Sequence, residues 1–407
     1  MVRQSGGMRA AAPVIGSDAA ALAVARSYAE SIADSVIERD RSGAVPAAAL
    51  AALDGSGLLG VTVPAEHGGP DVSPVTLAEV VRIIAAVDPA IAQTPQAHFL
   101  FVDVLAVWGS DDQRQRLFAD VLAGARIGNA LAERGGRHAQ DLRTRLRADG
   151  AGLRLDGTKY YCTGSVTARW IAVSALDESD RLVVAFVERD APGVDVDTDW
   201  DVMGQRATVS GTTTLRAAPV DPALVVPYHR AFEVPQQLGA RAQLVHAAIQ
   251  VGIAGGALRD ATEFVRIRAR PFFEAARGGW ADSAGQDPHT ILRHGRLVTR
   301  VRAAEQLLRW AAGELQDVGR HPADADQAAR GSLAVAQAKA FACDIATEVA
   351  SDLFALTGAS AADERHDLSR HWRNARTHAS HDPVDWKYHH IGNHVLNGVL
   401  PPNHGQL

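Results

Sequence analysis

Histidine is the residue type most unevenly spread through this 407-residue chain. There are sixteen, and eight of them lie after position 365. Imidazole, with an ordinary pKa of about 6.5, donates or shuttles a proton at neutral pH. Within the cluster, His378 and His381 are close together and Asp382 follows His381 directly. The competing role for His381 is structural, as a helix-end residue bonded to Asp382. His389, His390 and His394 have a spacing that would suit a metal. No Glu accompanies them in the metalloprotease pattern and no carboxylate cluster supports them, so a polar helix face is expected there and no metal.

Three further places carry chemistry-bearing types. His98 lies in Gln93-Thr94-Pro95-Gln96-Ala97-His98-Phe99, in an otherwise apolar helix, where a lone histidine is ordinarily a satisfied core residue. Thr163 follows Tyr161-Cys162 on an expected strand and precedes Gly164. It offers a hydroxyl, although Thr-Gly is also a common turn. Arg268 and Arg270 precede Pro271-Phe272, and the planar donor fork of arginine suits a phosphate. Cys162 reads as packing.

The elements that must position these residues change character along the chain. Residues 17–127 read as helices. Ser17, Ser73-Pro74, Asp88-Pro89 and Ser110 each give a cap, or a cap followed by Pro, before apolar residues at helical spacing. Residues 128–231 carry short alternating runs punctuated by Asp149-Gly150, Asp156-Gly157 and Pro192-Gly193, the pattern of a β domain. Residues 232–407 return to long Ala-rich helices, about 236–270, 290–318 and 324–356, then two shorter ones ending at Asn397, which suit a four-helix bundle. The predicted class is α+β, in the order helices, strands, helical bundle.

Bulk properties exclude several roles. The net charge of −6 gives no basic face for nucleic acid. No apolar run approaches the roughly 18 residues of a membrane span. Residues 1–12 have no apolar core of the secretory kind and read as a loose polar tail. Two distant cysteines form no disulfide framework, which favours a reducing, cytoplasmic location. No G-x-G-x-x-G follows a strand, so no nicotinamide site is expected.

The segments Gly204-Gln205-Arg206 through Ser210-Gly211-Thr212 and Arg266 to Arg270, with the C-terminal block, resemble the acyl-CoA dehydrogenase superfamily over residues 17–403. Other segments resemble one branch of it more closely, that of the dibenzothiophene monooxygenases and sulfur-acquisition oxidoreductases. These are Asp88-Pro89-Ala90-Ile91 with His98, Gly128-Asn129-Ala130, Gly157 to Gly164, Ala269 to Phe272 and, above all, His371 to Pro383. Dehydrogenases of the superfamily end this last block in Tyr-Glu-Gly, where Glu removes the substrate α-proton. His381-Asp382-Pro383 stands there instead, with a shorter carboxylate and a Pro that fixes the backbone after it. No acidic residue between Glu233 and Asp260 offers a substitute.

The resemblance therefore implies a monooxygenase that uses reduced flavin and O2 to oxygenate a small organosulfur compound through a flavin C4a-hydroperoxide. The alternative is an FAD-dependent acyl-CoA dehydrogenase with Asp382 as base. It implies Thr163 orienting the peroxide, His98 and His381 relaying its proton, and His378 in support. It places Asn129, Trp200 and Ser210 along the flavin, Arg268, Arg270 and Phe272 at the flavin phosphate of a neighbouring subunit, and Arg373, Asn374, Arg376 and Thr377 nearby. It further implies FMN supplied by a separate NADH:flavin reductase, with FAD open, and a homotetramer or at least a dimer.

Overall fold

The computed structural model describes residues 12–150 and 152–406. The expected polar tail lies outside the described residues up to position 11. Among the described residues, seven α-helices come first: α1 (Asp18–Ile32), α2 (Val36–Ser42), α3 (Ala47–Asp54), α4 (Pro74–Ala85), α5 (Pro89–Gln93), α6 (Gln96–Trp108) and α7 (Asp111–Leu122). Their starts follow from side-chain capping. Ser17 accepts the Ala20 N–H, Ser73 accepts the Thr76 N–H ahead of Pro74, and Asp88 accepts the N–H groups of Ala90 and Ile91 ahead of Pro89. Ser110 and Gln113 form a reciprocal capping box. Each bond satisfies an amide that the first helical turn leaves without a partner.

Eight strands follow among the described residues: β1 (Ile127–Ala130), β2 (Arg145–Asp149), β3 (Gly152–Lys159), β4 (Trp170–Leu176), β5 (Leu182–Glu188), β6 (Val194–Val196), β7 (Thr213–Val220) and β8 (Val225–Val226). They form one sheet in the order β6-β7-β3-β2-β4-β5-β8, with β1 paired in parallel to β4. β4 is buried along nearly its whole length, which suits its mostly apolar sequence from Trp170 to Leu176.

The remaining helices are α8 (Leu238–Ile267), α9 (Phe273–Arg277), α10 (Pro288–Val318), α11 (Ala325–Thr357), α12 (Ser369–Ala379) and α13 (Val384–Asn397). Helix α8 is the central one, and α4 of the N-terminal region packs against it. Gly252 and Gly256 permit that approach. A Cβ at Gly252 would lie 2.5 Å from the Ala85 Cβ, and one at Gly256 would lie 2.4 Å from the Ala86 carbonyl. Helix α12 runs antiparallel to α8, with His378 bonded to His246, the Ala375 carbonyl to Gln250, and His371 to Asp260. No helix among the described residues is long and apolar enough to cross a membrane.

Candidate active site

Strand β3 ends at Lys159, and the backbone turns left-handed at Tyr161 (φ 58°). Thr163 therefore lies in the turn beyond the strand, not on it as expected from the alternation. The turn brings its hydroxyl 2.6 Å from that of Ser210. Ser210 Oγ is 2.8 Å from Thr208 Oγ1, and Thr208 donates to the Gln205 carbonyl over 2.8 Å. This row of hydroxyls has a direction. A carbonyl only accepts, so Thr208 spends its proton on Gln205, Ser210 donates to Thr208, and Thr163 donates to Ser210. The free end of the row is then a lone pair on Thr163 Oγ1, which accepts a hydrogen bond.

The loop that carries Ser210 is strained and pinned. Gln205 and Val209 are both left-handed, at φ 55° and 46°. Backbone of this kind persists only where its surroundings enforce it, and it collects at ligand clamps. Gly204 permits the contact that enforces it, since a Cβ there would lie 2.1 Å from the Arg373 carbonyl oxygen. Asn374 accepts the Gln205 N–H at 2.5 Å, and the Trp200 indole donates to the Gln205 carbonyl at 2.9 Å. Trp200 also meets Tyr161 edge to face at 6.1 Å, and Arg134 lies over the rings of Tyr160 and Tyr161. The Gln205 carboxamide is buried, yet neither its nitrogen nor its oxygen has a hydrogen-bond partner among the described residues. Asn129 adjoins this group through its backbone. Its N–H donates to the Thr163 carbonyl, and its own carbonyl accepts from Ser165.

Four residues farther along α12, His378 enters a second cluster. Its Nε2 lies 3.1 Å from Gln93 Oε1 and 3.1 Å from Nδ1 of His246 on α8. The His246 ring stacks on that of His381, with centroids 4.1 Å apart and a tilt of 37°. His246 and His378 are buried, and His381, in the turn between α12 and α13, has a half-exposed side chain. Burial first, then the nearby His381 and Lys339, hold the pKa of both buried imidazoles well below the ordinary value, so they are neutral. Gln93 and Thr94 link the two clusters, because the Thr94 carbonyl lies against Gly164.

Asp382 is not placed to act as a base. Its carboxylate pairs with Lys339 of α11 and, at 3.0 Å, with Lys387 of α13. Burial alone would raise its pKa. The hydrogen bond from His381 and the two ammonium charges outweigh this and hold it well below the usual carboxylate range. A carboxylate so stabilised takes no proton from a substrate carbon. It orients His381 instead, through an Nδ1–Oδ1 contact of 3.3 Å.

Other expected site residues are placed differently. His98 is wholly buried; its Nε2 is bonded to the Leu59 carbonyl at 2.8 Å and its Nδ1 accepts the Ile127 N–H at 3.1 Å. Both nitrogens are spent on backbone, and burial lowers the pKa to about 4, so this histidine braces β1 and has no proton to relay. Arg373 binds Asp40, Asp367 and the Met203 carbonyl, and Asn374 binds Gln205, so both fasten α12 to its neighbours and neither is left for a phosphate. Arg376 is exposed. Arg268, Arg270 and Phe272 are exposed beyond the end of α8, where Arg268 lines an open cleft with Phe264, Ser360 and His366. From His246 to Arg268 is 22 residues, or roughly 33 Å at the helical rise. One chain thus does not bring that group to its own histidine cluster.

Comparison with known proteins agrees with this architecture. The chain matches the acyl-CoA dehydrogenase N-terminal domain over residues 18–125, the middle domain over 130–218 and the C-terminal domain over 244–386. It is 33% identical over 396 residues to a dibenzothiophene monooxygenase of Rhodococcus erythropolis, covering 93% of this chain and 94% of the other. The chain belongs to the acyl-CoA dehydrogenase superfamily, in its dibenzothiophene monooxygenase branch. It is also 31% identical over 399 residues to a Pseudomonas putida protein named "Probable FMNH2-dependent monooxygenase SfnC", over 96% of this chain and 98% of that one. The crystal structure of FMN-bound TdsC from Paenibacillus sp. A11-2 superposes with a TM-score of 0.90, at 31% identity, over 95% of this chain and 100% of that chain.

Sequence reading missed Gln205, Thr208, His246, Lys339 and Lys387. A signal existed for two of them. Gln243, His246 and Gln250 form a polar stripe at spacings of three and four on an otherwise apolar stretch of α8, and Lys339 interrupts an apolar face of α11.

Proposed function

We propose that this chain is the oxygenating component of a two-component system, using reduced FMN and O2 to oxygenate a small organosulfur compound. The observation that carries the reading is Asp382. The residue at the position where a dehydrogenase keeps its base is a buried carboxylate clamped by two lysines, and beside it a half-exposed imidazole faces outward. Relatives over nearly the full length of the chain bear monooxygenase names.

The site fits a flavin. An acceptor at Thr163 Oγ1, with the buried carboxamide of Gln205 and the hydroxyl of Thr377, which have no hydrogen-bond partner among the described residues, offers polar contacts, and the rings of Tyr161 and Trp200 stand beside them. Reduced FMN, when bound, supplies the two electrons that activate O2. Thr163, as an acceptor, matches an N–H that a flavin ring carries only when reduced, and so favours the reduced form. Asp382 holds the hydrogen on His381 Nδ1, which leaves Nε2 as the atom that takes up a proton and delivers it. His378 and His246, neutral and buried, support that ring and add no competing charge. His98 relays no proton in this scheme.

Arg268, Arg270 and Phe272 act at the cofactor phosphate of a second copy of the chain, which makes the working form a homo-oligomer, by this reading a tetramer. Arg376 is the remaining basic contact on α12. A separate NADH:flavin reductase supplies the reduced FMN. Two unpaired, buried cysteines, Cys162 and Cys343, suit a reducing cytoplasm.

The test combines the purified chain, a flavin reductase, NADH, FMN, 18O2 and a panel of sulfides, sulfones, sulfinates and sulfonates, read by mass spectrometry. Incorporation of 18O into product is expected. No incorporation from any member, together with anaerobic bleaching of bound flavin by an acyl-CoA ester, would overturn the assignment.

A further inference from the structure

We propose that His246 is a positioning residue for His381, the fixed surface against which the exposed imidazole is held at its working angle. The inference rests on the oxygenase reading only for its consequence in turnover; the geometry stands without it. His381 has two restraints. One is the Asp382 carboxylate at its Nδ1, which fixes the ring at a single atom and leaves it free to swing. The other is the face of His246, 4.1 Å away between centroids. A point contact and a stacked face together define the plane of a ring, which neither does alone.

His246 is itself held. It is 1% exposed and lies in α8, where Gly252 and Gly256 seat the helix tightly on α4. Gln93 Oε1 is an acceptor, so His378 Nε2 carries a hydrogen. That hydrogen also faces His246 Nδ1 at 3.1 Å, which accepts and therefore leaves the His246 hydrogen on Nε2. The order of control runs from Gln93 of α5 to His378 of α12, to His246 of α8, to His381. The charged groups around the stack are Lys339 of α11, Lys387 of α13 and Asp382 of the intervening turn. They sum to one positive charge when both imidazoles behind His381 are neutral. A histidine at 246, unlike a lysine or arginine, holds position here without adding to that charge.

Three variants separate the ring from its nitrogen. His246→Phe keeps a planar ring and loses the bond to His378. His246→Asn keeps an acceptor near the position of Nδ1 and loses the stacked ring. His246→Ala loses both. Two readouts apply. The first is the fraction of consumed reduced FMN that appears as oxygenated product and not as hydrogen peroxide. The second needs no turnover: the pH profile of diethyl pyrocarbonate acylation at His381, measured by peptide mass spectrometry, with buried His378 as an unreactive internal control. His246→Ala and His246→Asn are expected to lower coupling on the order of tenfold or more and to shift the acylation profile of His381, with FMN affinity within twofold of the parent. His246→Phe is expected to retain most of the coupling and the parent profile. Parent-like coupling and profile in all three variants would overturn the proposal. So would losses that follow the melting temperatures of the variants and not the presence of a ring. If the protein oxygenates nothing, the acylation profiles still decide the positioning role, so that failure and failure of the functional assignment are distinguishable.

Discussion

Replacing Asp382 with Asn tests the charge arrangement at its centre. The carboxylate side chain is 6% exposed, and the ammonium groups it serves belong to side chains only 2% and 4% exposed. Removing one partner of a buried pair typically costs about 3–5 kcal/mol, because the remaining charge is left without compensation. Here one carboxylate serves two ammonium ions, so the upper part of that range is expected for Asp382→Asn. Urea unfolding followed by tryptophan fluorescence reads the loss. The second substitution carries the sharper expectation. In the parent, Lys339→Met removes a favourable ion pair and destabilises. In the Asp382→Asn background it removes one of two unpaired buried cations and stabilises. The pH dependence has a definite sign. Burial, then Lys339, lowers the pKa of Lys387 even with its carboxylate present. In Asp382→Asn the unfolded chain therefore binds more protons than the folded one between the depressed folded value and about 10.4, and the deficit relative to the parent shrinks as pH rises through that window. An Asp382→Asn protein within about 1 kcal/mol of the parent, or a Lys339→Met substitution that destabilises both backgrounds equally, refutes the clamp.

Four other outcomes follow from the surroundings of named residues. His98 is folded neutral with a pKa of about 4, so between pH 6.5 and 4 the unfolded chain takes up a proton that the folded chain refuses; stability falls by about 3 kcal/mol as pH drops through that window, and the difference in urea midpoint between parent and His98→Gln should narrow accordingly. Gly204→Ala drives a methyl group into the Arg373 carbonyl and should cost about 1–3 kcal/mol with weakened FMN binding. Gly255→Ala, with nothing within 4 Å, should be neutral or stabilising in the same melting experiment. Thr163→Val removes the acceptor at the end of the hydroxyl row and should weaken reduced FMN by about fivefold while changing oxidised FMN less; Thr163→Ser should bind like the parent, and equal losses for both redox forms would count against the assigned direction of the row.

Much of the scaffold is written locally. Ser17, Ser73-Pro74, Asp88-Pro89 and Ser110 announce their helices because a cap is a contact between residues two or three apart. His381-Asp382 is legible for the same reason. The clamp is not, since Lys339 is 43 residues from Asp382 and His246 is 132 residues from His378. A helical pattern shows which face is buried, not which side chain another helix presents to it. His98 shows the limit from the other side. Its block resembles a catalytic one, yet only the positions of the Leu59 carbonyl and the Ile127 amide reveal that both ring nitrogens are occupied. Arg373 and Arg376 look alike in sequence. Asp40, 333 residues away, claims only Arg373.

The pairing of Asn374 and His378 on α12 has a consequence for how such a site diversifies. One residue holds the loop of the hydroxyl row and the other enters the imidazole cluster, so the spacing between these ends is set by one turn of helix, about 6 Å of rise. A helix does not stretch to suit a larger guest. Lineages sharing this frame are thus expected to acquire new substrates by reshaping the side walls, while the gauge between the hydroxyl row and the imidazole cluster stays constant, as fixed as the gap between two teeth on one comb.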